Sequence, residues 1–251
     1  MTNEHDRRRF LSGAMAVAGA AALGTLPAGT ARASTPGGYP FGLGVASGDP
    51  TASGVVLWTR LVPRLFEPGG GMPATPVTVD WQIAADPHFR RVVRDGTAWA
   101  LPSLGHSVHV EVDGLRPDGE WYYRFRHGRH LSPVGRTRTA PADGMGRLAL
   151  AVASCQAWDN GFYPSYRHMA DEDLDLVLHL GDYVYEGGVP ADGGYRHTPT
   201  PDVLRAAPRD LARWRMQYEL YKSDPDLQAA HARFPWTVTW DDHHVCQPTT
   251  Q

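Results

Sequence analysis

The sequence is short of lysine, of cysteine and of long apolar runs. Of the 24 Lys and Arg residues in 251, only Lys222 is lysine. With abundant Ala, Gly and Pro, that bias points to a GC-rich coding sequence rather than to a site. The formal net charge is −3, and the basic stripe that marks a nucleic-acid-binding surface is missing. Two cysteines, Cys155 and Cys246, are too few for a disulfide scaffold, although one pair is the ordinary expectation in an oxidising compartment. Repeats and low-complexity tracts are absent, which excludes a solenoid. Beyond residue 33 no stretch supplies the roughly 20 apolar residues of a membrane span. What remains is 42% hydrophobic and 20% charged, the balance of an ordinary globular protein of one or two domains.

The N-terminus carries an instruction. Arg7, Arg8 and Arg9 precede Phe10-Leu11 and a weakly apolar Ala/Gly/Leu segment, which ends in Ala31-Arg32-Ala33. That is the layout of a cleaved leader with an A-x-A site, and Arg7-Arg8-x-Phe10-Leu11 resembles the twin-arginine export signal. Gly13, Gly19, Gly24, Pro27 and Gly29 interrupt the segment and argue against a membrane anchor. Residues 1–33 are therefore expected to be a twin-arginine signal peptide. The mature chain would be exported by that machinery to the periplasm, the cell surface or the medium, with no stable membrane insertion.

From residue 42 to 139 the sequence reads as short strands, over 54–61, 77–84, 107–115 and 120–128. Pro87, Gly96, Pro102 and the Arg-Pro-Asp-Gly run at 116–119 stand out as turn residues between them. Val108, Val110 and Val112 alternate with Ser107, His109 and Glu111, the period of a half-buried strand. Leu115-x-Pro117 followed by Trp121, Tyr123 and Phe125 looks like the E–F corner and F strand of a fibronectin-type sandwich. An all-β, fibronectin/Ig-like sandwich of about 100 residues is expected over 34–140.

The Pro/Gly-containing stretch 139–148 reads as a linker, and the pattern changes after it. Residues 148–155 read as a buried strand, 162–172 as a helix, and 174–182 as a second buried strand. Helices follow over 201–235, with Asp224 as an N-cap and Pro225 at the first helical position. Residues 236–242 read as a third strand. Such β-α-β alternation indicates an α/β domain, here over 146–251.

All three of these strands end in groups able to bind metal: Ser154-Cys155, Gly181-Asp182 and Asp241-Asp242-His243. In α/β sheets ligands sit beyond the carboxyl ends of strands. Burying an ionised carboxylate is costly without a partner, so Asp182, delivered by a Leu/Val-rich strand, is expected to meet a cation. Asp241, His168, His179 and His231 are read as structural, Tyr183 as a packing residue, and Asp159-Asn160 as a turn.

The leader, residues 41–61, the run from Ser154 to Glu186 and the run from Leu211 to His243 together resemble the PhoD-like alkaline phosphatase/phosphodiesterase family. The resemblance implies a β-sandwich ahead of a metallophosphoesterase domain. It also implies ferric iron and calcium as cofactors, and phosphate mono- and diesters as substrates. Residue by residue, Cys155 matches an iron-binding thiolate, Asp182 the metal-bridging carboxylate and Tyr185 a tyrosinate ligand. Asp242 matches a residue that binds the second metal, and His243 the catalytic histidine at the reacting phosphate. Small phosphoesters are the implied partners, scavenged for phosphate outside the cytoplasm, by a monomer. A disulfide from Cys155 to Cys246 stays open as the alternative. Two other functions stay open as well: a secreted non-catalytic binding protein, and a phosphodiesterase acting on phospholipid or nucleic acid.

After His243 the sequence leaves the family pattern. His244 stands where an acidic residue is expected, and Gln247-Pro248 where a pair of Asn is expected. Three strands and a few helices make about half of such an α/β domain. The expectation is therefore a C-terminally truncated domain of impaired activity, with one sheet face uncovered and apolar surface exposed.

Overall fold

The protein, seen as a computed structural model, is described over residues 38–143 and 147–244. The expected leader and Cys246 lie outside the described residues. Along the chain run β1 (Val45–Gly48), β2 (Val55–Arg60), β3 (Val77–Ala84), β4 (Val92–Ala100), β5 (Ser107–Val112) and β6 (Glu120–His127). The short β7 (His130–Leu131), β8 (Gly135–Arg138) and β9 (Leu150–Ala153) follow. Then come α1 (Pro164–Ala170), β10 (Leu176–His179), α2 (Leu211–Lys222), α3 (Pro225–Arg233) and β11 (Pro235–Val238). No helix among the described residues is long and apolar enough to cross a membrane.

The strands form two sheets. One is six-stranded, in the order β5-β2-β1-β11-β10-β9. The other runs β4-β3-β6-β7, with β8 also paired to β6. In the larger sheet β5, β2 and β1 are antiparallel, whereas β1, β11, β10 and β9 are parallel. β1 hydrogen-bonds to β11 across the expected domain boundary, so the six-stranded sheet draws strands from both sides of it.

Alternation explains which faces are covered. On β5 the three valines are buried, whereas His109 and Glu111 are exposed. Val108, Val110 and Val112 join Val45, Leu57, Val79, Ile83, Tyr123 and Phe125 in the core between the two sheets. A second core forms where Val177 and Trp236 meet Tyr166, Tyr183, Leu227 and Phe234 beneath the helices. Capping sets both longer helices. Asp210 accepts the Arg213 amide ahead of α2, and Asp224 accepts the amides of Asp226 and Leu227 with Pro225 at N1 of α3, as the sequence predicts for α3. A buried ion pair ties the halves together: Arg60 on β2 reaches Glu219 on α2 at 2.7 Å, and Glu219 also accepts the Phe66 amide.

Two expectations need correcting. Gly96 is not a turn residue; it sits inside β4 opposite Trp81, whose ring lies where a Cβ would be, 2.8 Å away. The missing side chain leaves room for the indole, which is why a strand tolerates it. Nor are 148–155 and 174–182 fully buried strands. Leu150 and Val152 are exposed, Val152 by 60%, and Leu176 and Leu178 are only half-buried. β9 is the edge of its sheet, and helices cover only the opposite face of β9, β10 and β11. Among the described residues, the face carrying Leu150 and Val152 is thus left exposed.

Candidate metal centre at the strand ends

Because β9, β10 and β11 are parallel and in register at Ala153, His179 and Val238, the segments after them leave the sheet along one edge. Two backbone crossings hold the first two segments together: the Cys155 amide donates to Gly181 O and the Gln156 amide to Asp182 O, both at 3.2 Å. Both Cys155 and Asp182 sit in the left-handed region, at φ 56° and 53°. Non-glycine residues there cost about 1 kcal/mol or more each and cluster at functional sites. Gly181, at φ 120°, admits no side chain, since a Cβ would lie 2.1 Å from the Asp241 carboxylate.

The turn aims Asp182 into the centre of the candidate site. Its Oδ2 accepts from the Tyr185 hydroxyl at 2.9 Å and lies 3.7 Å from the Cys155 thiol. Its Oδ1 is buried without a partner. Ligand atoms of Asp182, Asp242 and His243 all fall within 4.8 Å of one another, a spacing that would hold one metal ion. His243 Nε2 is 4.0 Å from Asp182, while Nδ1 pairs with Glu186 at 2.7 Å. The Tyr185 and His243 rings face each other at 4.5 Å between centroids. All five residues picked from the sequence thus occupy one corner of the fold. Cys155 is a free, exposed thiol.

The electrostatics follow from this crowding. Burial raises the Tyr185 phenol, and the adjacent Asp182 carboxylate raises it further, so without a cation the phenol stays protonated and donates. The hydrogen bond to Glu186 raises His243, helped by the charges of Glu186, Asp182 and Asp242 against a smaller loss from burial. For Glu186 burial works upward, but a backbone amide and the His243 imidazolium hold it below its usual value.

The donor set fits a metal. An orphaned buried carboxylate oxygen is costly, and a cation between Asp182 and its neighbours would satisfy it. Thiolate and phenolate are anionic, strongly donating ligands suited to a trivalent iron, whereas carboxylates suit a hard cation such as calcium.

Sequence reading passed over two contributors. Glu186 stands directly after Tyr185, but nothing in the chain forecast that Asp242-His243 would fold back onto it. Gln156 is buried behind Cys155. It donates to Tyr183 O at 2.8 Å and accepts from the Tyr166 hydroxyl at 2.5 Å, locking the β9 and β10 loops together. Asp241 packs against Gly181 and accepts the Asp242 amide, a structural part, and buried Tyr183, His179 and His231 belong to the second core region.

Comparison with known proteins agrees with this architecture. The family model for the PhoD-like phosphatase N-terminal domain matches residues 27–141, and that for PhoD-like phosphatase matches residues 150–247. Alkaline phosphatase D of Bacillus subtilis (strain 168) is 48% identical over 256 residues, covering 97% of this chain and 42% of its own length. A solved structure of PhoD superposes with a TM-score of 0.77 at 52% identity, over 85% of this chain and 41% of that one. The chain thus spans about two fifths of the length of the relatives it matches. With two successive parts of the same enzyme matched in order along it, the chain belongs to the PhoD-like phosphatase family.

Proposed function

We propose that the chain carries the iron-binding half of a metal-dependent phosphoesterase site, and that the whole protein hydrolyses phosphate mono- and diesters outside the cytoplasm. The observation that carries this is the Asp182 carboxylate, held on a strained turn between Cys155 and Tyr185 with one buried oxygen left without a partner. Cys155, Asp182 and Tyr185 would hold ferric iron, and Asp182 with Asp242 would hold calcium. Such a pair supplies charge stabilisation for phosphoryl oxygens and an activated water. The residues of the chain do the positioning. Asp182 fixes the centre, and Glu186 keeps His243 oriented through Nδ1, so that Nε2 faces the site as a proton donor to a leaving oxygen. The division into a 1–33 twin-arginine leader, a fibronectin-like sandwich over 34–140 and the first part of a metallophosphoesterase domain over 146–251 belongs to the same reading, as do export and phosphate scavenging.

The test measures bound iron and calcium, and turnover of aryl phosphate mono- and diesters, for the chain and for Asp182→Asn. Iron in the parent, with the purple to brown colour of a ferric tyrosinate, and its loss in Asp182→Asn are expected. Iron bound equally by both, or by neither, would show that the strand-end residues serve only the fold. The ratio of monoester to diester turnover then sets the substrate class.

A further inference from the structure

A second cavity, of about 440 Å³, opens beside the metal corner and shares none of its ligands. It lies on the face of β1 and β2 turned away from the sandwich core, where that face meets the C-terminal end of α2. Its lining includes the rings of Trp58, Tyr183, Tyr218 and Trp236, with Lys222 and His231 among the polar groups between them. Lys222 is the single lysine of the sequence. Its ammonium nitrogen lies 4.4 Å from the centre of the Trp58 ring and donates to the Tyr183 hydroxyl at 3.3 Å. That hydroxyl is in turn 2.6 Å from His231 Nε2.

These contacts form a chain from amine to phenol to imidazole. Burial drives His231 well below its ordinary pKa, with the Lys222 charge acting in the same direction, so the imidazole is neutral and Nε2 accepts the Tyr183 proton. Its other nitrogen, Nδ1, is buried and unpartnered. Lys222 loses hydration to the ring-lined wall, which pushes it down to about 7. The Trp58 face returns part of that loss, since a cation over a ring gains roughly 0.5–2 kcal/mol. No carboxylate is in hydrogen-bond contact with this amine among the described residues, which is the setting in which a lysine becomes a nucleophile.

We propose that this cavity is a covalent capture site for small aromatic aldehydes, with Lys222 as the nucleophile and Tyr183 as its proton relay. The Lys222 lone pair attacks the carbonyl carbon, and the C=O π pair moves to oxygen. That oxygen takes a proton from the Tyr183 hydroxyl, which recovers one from the ammonium through their shared hydrogen bond. Loss of water from the carbinolamine leaves the imine, so that Lys–NH₂ and R–CHO give Lys–N=CH–R and H₂O. The rings that line the cavity seat the aldehyde's own ring. The inference rests on neither the metal centre nor phosphoester hydrolysis.

The test treats the chain with benzaldehyde and cyanoborohydride near pH 7.5, in the presence of a chelator, and follows benzylation of the Lys222 peptide by mass spectrometry. The expected result is labelling at least about tenfold faster than in the same chain unfolded in urea, reflecting the larger neutral fraction of a lysine shifted down from its usual value. The rate should saturate with benzaldehyde, and Lys222→Arg should abolish the adduct. Tyr183→Phe, if its melting transition matches the parent, should slow labelling by about tenfold or more. Equal rates in folded and unfolded chains, an unsaturable rate, or benzaldehyde quenching tryptophan fluorescence without a trapped adduct would each overturn the proposal.

Discussion

At the scale of single residues, the site is held in conformations the chain would not choose. Asp182 occupies the left-handed region and is one of a pair there with Cys155. Replacing it by glycine removes the backbone penalty together with the carboxylate. Asp182→Gly is therefore expected to raise the stability of the metal-free chain by about 1 kcal/mol while abolishing metal binding; a denaturant melt and a metal assay check the two halves. Lys222 gives a pH signature of known sign. Its folded pKa is about 7 against 10.5 for an ordinary lysine, so between those values the unfolded chain holds the extra proton. Stability then rises with pH through that window and is lost as pH falls toward 7. Lys222→Met removes this dependence, so its advantage over the parent is expected to be greatest below pH 7 and to shrink toward pH 10.5 in paired urea titrations. Legibility also differs residue by residue. Cys155, Asp182, Asp242 and His243 could be picked out because each follows a recognisable apolar strand, and Tyr185 through the Gly-Asp-x-x-Tyr pattern of the family resemblance. Glu186 and Gln156 could not, because their roles depend on which loops touch, and touching is not written locally.

Among the elements, strand and helix signals were clearest where one face is buried and one is wet. β3 matches its expected range, Val77–Ala84, and the Asp224-Pro225 cap opens α3 where expected. β4 carries no such signal, because it is an edge strand with mostly exposed side chains and a glycine at its middle. β1 is only four residues long and carries Gly48. α2 lies within the stretch read as helical, but Arg213, Gln217 and Glu219 are buried on it, so its polar sequence did not show how closely it packs. Glu219 is held there by Arg60 and the Phe66 amide. Truncating it leaves a guanidinium buried without its partner, and Glu219→Ala is expected to cost about 3–5 kcal/mol, read as a shift in urea midpoint.

At the scale of the whole molecule, the informative feature is the uneven cover on the six-stranded sheet. One of its faces is packed against the second sheet at β5, β2 and β1, yet bare at β9 and β10. Val152 stands on the bare part. A charge there meets water and not a core, so Val152→Lys should change stability by no more than about 0.5 kcal/mol while reducing binding of an apolar reporter dye. A loss of several kcal/mol would mean that the face is covered in solution. The sequence indicated the β-α-β alternation that builds this part of the sheet. It did not indicate that the sandwich strands and the α/β strands would share a sheet, since a pairing between distant strands has no local signature.

The pairing of β1 with β11 also governs the order in which the molecule can assemble. Ser47 lies opposite Pro235, roughly 190 residues apart, a contact whose loop closure is slow to form. Until Pro235–Val238 has left the ribosome, β1 and β10 each present an open edge, and open edges recruit foreign strands. The last described strand is thus the fastener of the first. The nascent chain needs protection until β11 has emerged, and docking of β11 closes both edges in a single step.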